Sequence, residues 1–158
     1  MDGPDETATS GFGEFYAQQR RDGARLAWLL THDEAVVEDI VHDAFASVFA
    51  RFDSLDSPTA YLRRTIVNGV YERARRSGRE RRREMLAEAG RPTTTDGPTG
   101  GLADVIARLP LDERTVVVLR YWADLDHDSI GRAMGLRASS VRSLLTRATA
   151  RLRQEINP

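Results

Sequence analysis

A chain of 158 residues with no cysteine excludes disulfides and cysteine-ligated metal, while 41% hydrophobic content supplies enough apolar material for a core. The formal net charge of −1 conceals a strong segregation. Residues 1–60 carry twelve acids against four arginines, residues 61–83 carry nine arginines against two glutamates, and all 23 basic residues are arginine.

The longest apolar runs, such as residues 26–30 and 116–119, fall far short of the ~20 residues of a membrane span. The acidic, polar start MDGPDETATSG is unlike a signal peptide. The expectation is a soluble, cytoplasmic protein without membrane insertion. A second basic block, residues 137–158 with five arginines and one glutamate, lies far from the first. Two basic surfaces set between acidic segments point to two contacts with a polyanion.

In chain order, residues 1–11 read as a disordered tail. A helix follows from Phe12, with Phe15, Tyr16, Leu26, Ala27, Leu29 and Leu30 as core candidates and a possible break near Gly23. His32 and Asp33 make a turn, and Asp33 caps a second helix running to about Arg51. On it Val37, Val41, Ala44 and Val48 form an apolar stripe widened by Ile40, Phe45 and Phe49, while Glu34, Glu38, Asp39 and Asp43 lie opposite. After the loop at residues 52–58 a basic helix runs from about Thr59 to Arg76 or beyond. Its Leu62, Ile66, Val70 and Ala74 are expected to face inward. Arg63, Arg64, Arg73, Arg75 and Arg76, with Tyr61 and Tyr71 among them, are expected outside, where arginine can neutralise phosphate and tyrosine can stack on unpaired bases.

Residues 86–101 are rich in Gly, Pro and Thr and read as a linker reaching up to ~55 Å. Beyond it, Leu102, Val105, Ile106 and Leu109 suggest a short helix stopped by Pro110, and Asp112 is a candidate cap for the next. Residues 125–156 then form a helix-turn-helix: Asp126 as N-cap, Gly135 at the turn, and a last helix with Val141, Leu145, Ala148 and Leu152 inward. The other side of that helix presents Ser139, Ser140, Arg142, Ser143, Thr146, Arg147, Thr149, Arg151 and Arg153, small or basic groups suited to a DNA groove. The fold class is all-α: 12–85 and 102–158 as two small helical domains, 86–101 as linker, 1–11 as tail.

This order of parts resembles the bacterial RNA polymerase sigma factors of the extracytoplasmic-function group. The resemblance rests on EDIVHDAF at 38–45, YLRRTIVN at 61–68, LPLDER at 109–114 with VLRY at 118–121, and the helix-turn-helix that follows. It implies a region 2 domain that binds core polymerase and melts the minus-ten element, and a region 4 domain that reads the minus-thirty-five element. By the same resemblance, Glu38, Asp39, His42 and Asp43 would contact the clamp of the polymerase's largest subunit. Leu55, Asp56, Ser57 and Asn68, joined by Tyr61, Arg63, Arg64, Tyr71 and Arg75, would engage the minus-ten strand. Arg137, Ser139, Ser140, Arg142, Ser143, Thr146 and Arg147 would lie on the upstream element.

Four residues depart from the pattern. His42 stands for glutamine, Arg137 for a small cap, and Leu144 and Thr149 for basic residues that would make the reading helix more positive. The resemblance also implies an anti-sigma partner. His32, His42 and His127 share no metal-ligand spacing, and there is no phosphate loop or nucleophile motif; neither a cofactor nor an enzyme activity is expected. A helix-turn-helix regulator that works without polymerase is the competing reading, as is a helical adaptor for acidic proteins.

Overall fold

The computed structural model describes residues 6–87 and 101–157, and among them there is no strand. Helices α1 (Glu6–Thr31), α2 (Glu34–Phe49) and α3 (Pro58–Ala87) pack on one another. Helices α4 (Leu102–Ala107), α5 (Leu111–Val117), α6 (His127–Met134) and α7 (Ala138–Ile156) make a second group. The all-α expectation is met. Most of the expected linker, residues 88–100, lies outside the described residues, as do residues 1–5 of the expected tail.

The caps set the helix starts. The Asp33 carboxylate accepts from the Ala35 amide at 3.0 Å and opens α2, while His32 before it takes a left-handed φ of 49° that reverses the chain. The Ser57 hydroxyl accepts from the Ala60 amide at 3.2 Å in the first turn of α3, next to Pro58. Asp126 accepts from the Ser129 amide at 2.7 Å and opens α6. Gly135, at φ 69°, closes that helix in the left-handed region, which glycine enters without a Cβ penalty.

Helix α1 starts earlier than expected, at Glu6 rather than Phe12. The Phe12 ring meets Phe49 and Phe52 edge-on at 4.9 and 5.6 Å, so aromatic packing helps to hold this end. The helix also runs unbroken through Gly23, which is buried against Ile66 and Phe45. Leu26, Ala27 and Leu30 of α1 join Ile40, Ala44, Phe45 and Val48 of α2 and Leu62, Ile66, Val67 and Val70 of α3 in the core. Ala74 does not follow them inward. From Ala74 to Glu80 α3 is exposed throughout, its basic half running past the body of the protein with a Glu72–Arg76 pair at 2.7 Å. Such an exposed i,i+4 pair is worth only ~0.3–0.5 kcal/mol.

In the second group Val116, Leu119, Ile130, Val141, Leu145 and Ala148 are buried together. Two expectations change here. Asp112 does not cap α5; Pro110 precedes that helix, and the Asp112 carboxylate is taken by a side chain of α3. Leu144 is not a lost base on the DNA-facing side, because it is 8% exposed and part of the core. After Val117 the helix widens into a π turn, Val118–Trp122, which leaves Tyr121 69% exposed. Glu113 is buried, and the Arg151 Nε stands 2.9 Å from its carboxylate, so Arg151 serves the fold rather than the outer face.

Candidate nucleic-acid interface

Three surfaces hold the residues singled out by sequence. On α2, Glu38, Asp39, His42 and Asp43 are all exposed on one side. Asp39 is 3.4 Å from the Arg73 guanidinium of α3, a long and exposed pair that leaves the surface open to a stronger cation. Asp43 lines a groove between α2 and α3 in which Asn68 also sits. Asn68 therefore lies in a groove beside the acidic helix, shared with Arg73 and Arg76, and away from Tyr61, Arg63 and Arg64.

The second surface gathers Leu55, Ser57, Tyr61, Arg63 and Arg64 around a cavity of about 370 Å³, whose other wall is Leu125, Ser129, Arg132 and Ala133. The two helical groups thus meet over this site. Asp56 is exposed at its edge and Arg75 lies on the projecting half of α3. Tyr71 is elsewhere again: its hydroxyl donates to Asp112 at 2.5 Å and reaches Thr115 Oγ1 at 3.5 Å, both on α5. Burial, and then the bond to Asp112, holds the phenol's pKa above its usual value. Residues expected to share one surface are thus split among four places, because successive residues of α3 point in different directions around the helix.

The third surface is α7. Arg137, Ser139, Ser140, Arg142, Ser143, Thr146 and Arg147 are all exposed, and neither Arg142 nor Arg147 has an acidic partner among the described residues. The Ser143 and Thr146 hydroxyls donate back to the Ser139 and Arg142 carbonyls at 3.1 and 3.0 Å, which leaves their oxygen lone pairs to accept. Arg137 provides no side-chain cap for α7 and Ser139 does not replace it. An open groove beside this face adds Arg120, Tyr121, His127 and Arg153. Tyr121 was not legible as part of it, since an uninterrupted α-helical period gives no sign of the π turn that rotates it outward.

The Sigma-70 region 2 family matches residues 15–80 and the Sigma-70 region 4 family matches residues 100–152. The RNA polymerase sigma-E factor of Streptomyces coelicolor is 34% identical over 151 residues, 90% of this chain and 85% of that protein. This chain belongs to the extracytoplasmic-function sigma factors. The sigma-E factor of Streptomyces avermitilis is 33% identical over 151 residues, 90% of this chain and 84% of its own length. Among solved structures, the sigma factor RpoE in complex with the anti-sigma factor NepR from Bartonella quintana superposes with a TM-score of 0.75 at 19% identity. The match covers 94% of this chain and 99% of that one. CnrH in complex with the cytosolic domain of CnrY gives 0.67 at 24% identity, over 96% and 93%. These two likenesses establish the fold. The sigma family makes the chain a transcription initiation factor, and no described helix is long and apolar enough to cross a membrane.

The seam between the two helical groups also carries a histidine. His32, just after α1, packs against Trp28 with ring centroids 4.6 Å apart and the ring planes tilted by 46°. Burial, then the positive Arg114 of α5, pushes its pKa below 6.5, and Arg25 of α1 adds to this; the Ala103 backbone and the Asp104 carboxylate of α4 pull the other way. The intact seam therefore binds this proton less readily than the free imidazole. Its contribution is full above 6.5 and is lost as pH falls from there through the lowered value. Denaturant unfolding compared at about pH 7.5 and about pH 5.5 should show an acid loss that His32→Asn, which tolerates the left-handed backbone and cannot titrate, reduces. An equal loss in both proteins would remove His32 as the cause.

Proposed function

We propose that this sigma factor binds core RNA polymerase through the α2 acidic face and reads an upstream promoter element with α7. It opens the minus-ten element on the surface around Tyr61, Arg63 and Arg64. The observation that carries the reading is α7: a solvent-facing row of Arg142, Ser143, Thr146 and Arg147, with both arginines free of acids among the described residues. A guanidinium placed there can bridge two acceptors on a guanine edge, for about 1–3 kcal/mol of discrimination, and the uncapped first turn of α7 offers amides to a backbone phosphate. Glu38, Asp39, His42 and Asp43 form the polymerase contact. Leu55, Asp56, Ser57, Tyr61, Arg63 and Arg64 form the strand contact, with Asn68 and Arg75 at its margins. Tyr71 is left out of that contact, because its hydroxyl is engaged with α5.

Residues 12–85 act as the polymerase-binding, strand-opening unit and 102–158 as the promoter-reading unit, in the cytoplasm. An anti-sigma factor is a further partner on this reading, supported by the complex in which the similar RpoE chain was solved with the anti-sigma factor NepR. The protein should co-elute with core polymerase and open a fork-junction probe only when polymerase is present. Arg142→Ala with Arg147→Ala should lower upstream-element recognition about tenfold or more and leave core binding intact. Asp39→Ala with Asp43→Ala should weaken core binding instead. Equal effects of the two pairs on core affinity would sink the assignment, and tight duplex binding without polymerase would favour a free-standing helix-turn-helix regulator.

A further inference from the structure

We infer that the cavity between α3 and α6 is a binding site for a nucleoside di- or triphosphate. Arg63, Arg64 and Arg132 hold the phosphates and Tyr61 takes the base. Arg132 and Leu125 lie outside the proposed strand contact, so the site stands apart from that reading.

The cavity, about 370 Å³, is within the size range of small-molecule sites. Its charge is one-sided. Arg63 and Arg64 come from α3 and Arg132 from α6, and no carboxylate lines the space. None of the three has an acidic partner among the described residues, and Arg132 donates to the neutral Ser129 hydroxyl at 3.0 Å. Asp126 lies near Arg132 at the N-cap of α6, but its carboxylate accepts from the Ser129 amide at 2.7 Å and does not line the cavity. Three arginines elsewhere that cross between elements do meet carboxylates: Arg73 at Asp39, Arg108 at Glu155 and Arg151 at Glu113.

Three guanidiniums around one space repel one another unless an anion lies among them. Their planar forks fit phosphate oxygens in pairs. Two helices supply them from opposite walls, which suits two linked phosphates better than one. The Ser57 hydroxyl accepts from the Ala60 amide, so its own proton is left to donate to a phosphate oxygen.

The rest of the wall suits a flat ring. Tyr61, Leu55 and Leu125 are half-buried and line the same space. A base set against a tyrosine and two leucines sheds water from its faces, whereas an inorganic anion leaves these side chains uncovered.

The test titrates the full chain with ADP, GDP, inorganic pyrophosphate and adenosine in a calorimeter. ADP or GDP should bind one to one, pyrophosphate about tenfold more weakly for want of a ring, and adenosine undetectably over the same range. Arg64→Ala and Arg132→Ala, both at exposed positions, should each lower nucleotide affinity about tenfold, the worth of a charged hydrogen bond. Tyr61→Leu should weaken nucleotide binding and leave pyrophosphate binding unchanged, which also shows that the variant keeps its site. Arg142→Ala with Arg147→Ala should change neither.

No nucleotide binding at millimolar concentration would overturn the site. An equal loss in the α7 double variant would do the same, since it marks a general attraction of phosphate to arginine. Pyrophosphate binding as tight as that of ADP would overturn the nucleotide class. Nucleotide affinity indifferent to Arg132→Ala would put the ligand on α3 alone, and the site between the helices would fall. Failure of the strand-contact reading shows separately, as oligonucleotide affinity unchanged by Arg63→Ala with Arg64→Ala.

Discussion

Arg114→Ala is expected to lower the unfolding free energy by about 3 kcal/mol, the largest loss for any single polar side chain here. One guanidinium serves three carbonyls, of Leu30, Ala107 and Leu109, at 2.6, 2.7 and 3.0 Å. One belongs to the last residue of α4, one to the turn between α4 and α5 and one to the end of α1, so the side chain ties a local turn and the seam together. Alanine leaves all three oxygens without this donor in a partly buried place, where a lost charged bond costs more than a neutral one. Arg114→Lys should recover only part, since a single ammonium on a flexible stem cannot reproduce a planar fork. Denaturant titration of the three proteins measures this. A loss below about 1 kcal/mol for alanine would mean that water replaces the guanidinium without penalty.

Gly131→Ala is expected to destabilise the helix-turn-helix by about 1–3 kcal/mol, the usual range for overpacking, and to displace α7. Taken alone the change favours helix, by roughly 0.5–1 kcal/mol. Space reverses the sign: a Cβ at 131 would lie 2.5 Å from the Leu136 carbonyl oxygen. That oxygen belongs to the backbone of the turn, and the Leu136 amide is itself bound to the Gly131 carbonyl at 2.9 Å, so the turn cannot step aside without breaking its own bond. Gly135→Ala is the instructive comparison. It has no neighbour within 4 Å of its Cβ position and a φ of 69°, so only the left-handed backbone penalty applies. Gly131→Ala should lower upstream DNA affinity more than Gly135→Ala at matched stability. The reverse order would show that the close approach is relieved by a small shift.

The caps and periods that were legible are those whose cause is local. Asp33, Asp126 and Gly135 sit next to the groups they satisfy, and the apolar stripe of α7 repeats within one helix. The exposure of Glu38, Asp39 and Asp43 and of the Arg142 face followed from the same periods. What failed did so for stated physical reasons. Asp112 looked like a cap because an acid near a helix start usually is one, but a tyrosine 41 positions earlier in the chain claims it. Leu144 was counted as a missing base on the outer face, yet the apolar arc of α7 is wide enough to bury it beside Leu145. Ala74 continued the α3 stripe in sequence after the partners of that stripe had ended in space.

The sequence by itself determined the helical class, the helix starts that a side chain caps, the helix-turn-helix turn, and the segregation of acidic and basic faces. Each follows from interactions within a few residues. Tertiary structure alone decided which faces meet: that α6 lies across a cavity from Tyr61 and Arg63, that Tyr71 bonds to Asp112, that Arg114 reaches Leu30, 84 positions away, and that Gly131 has no room for a side chain. Periodicity marks a face as apolar or charged, but it does not say which distant group will arrive against it.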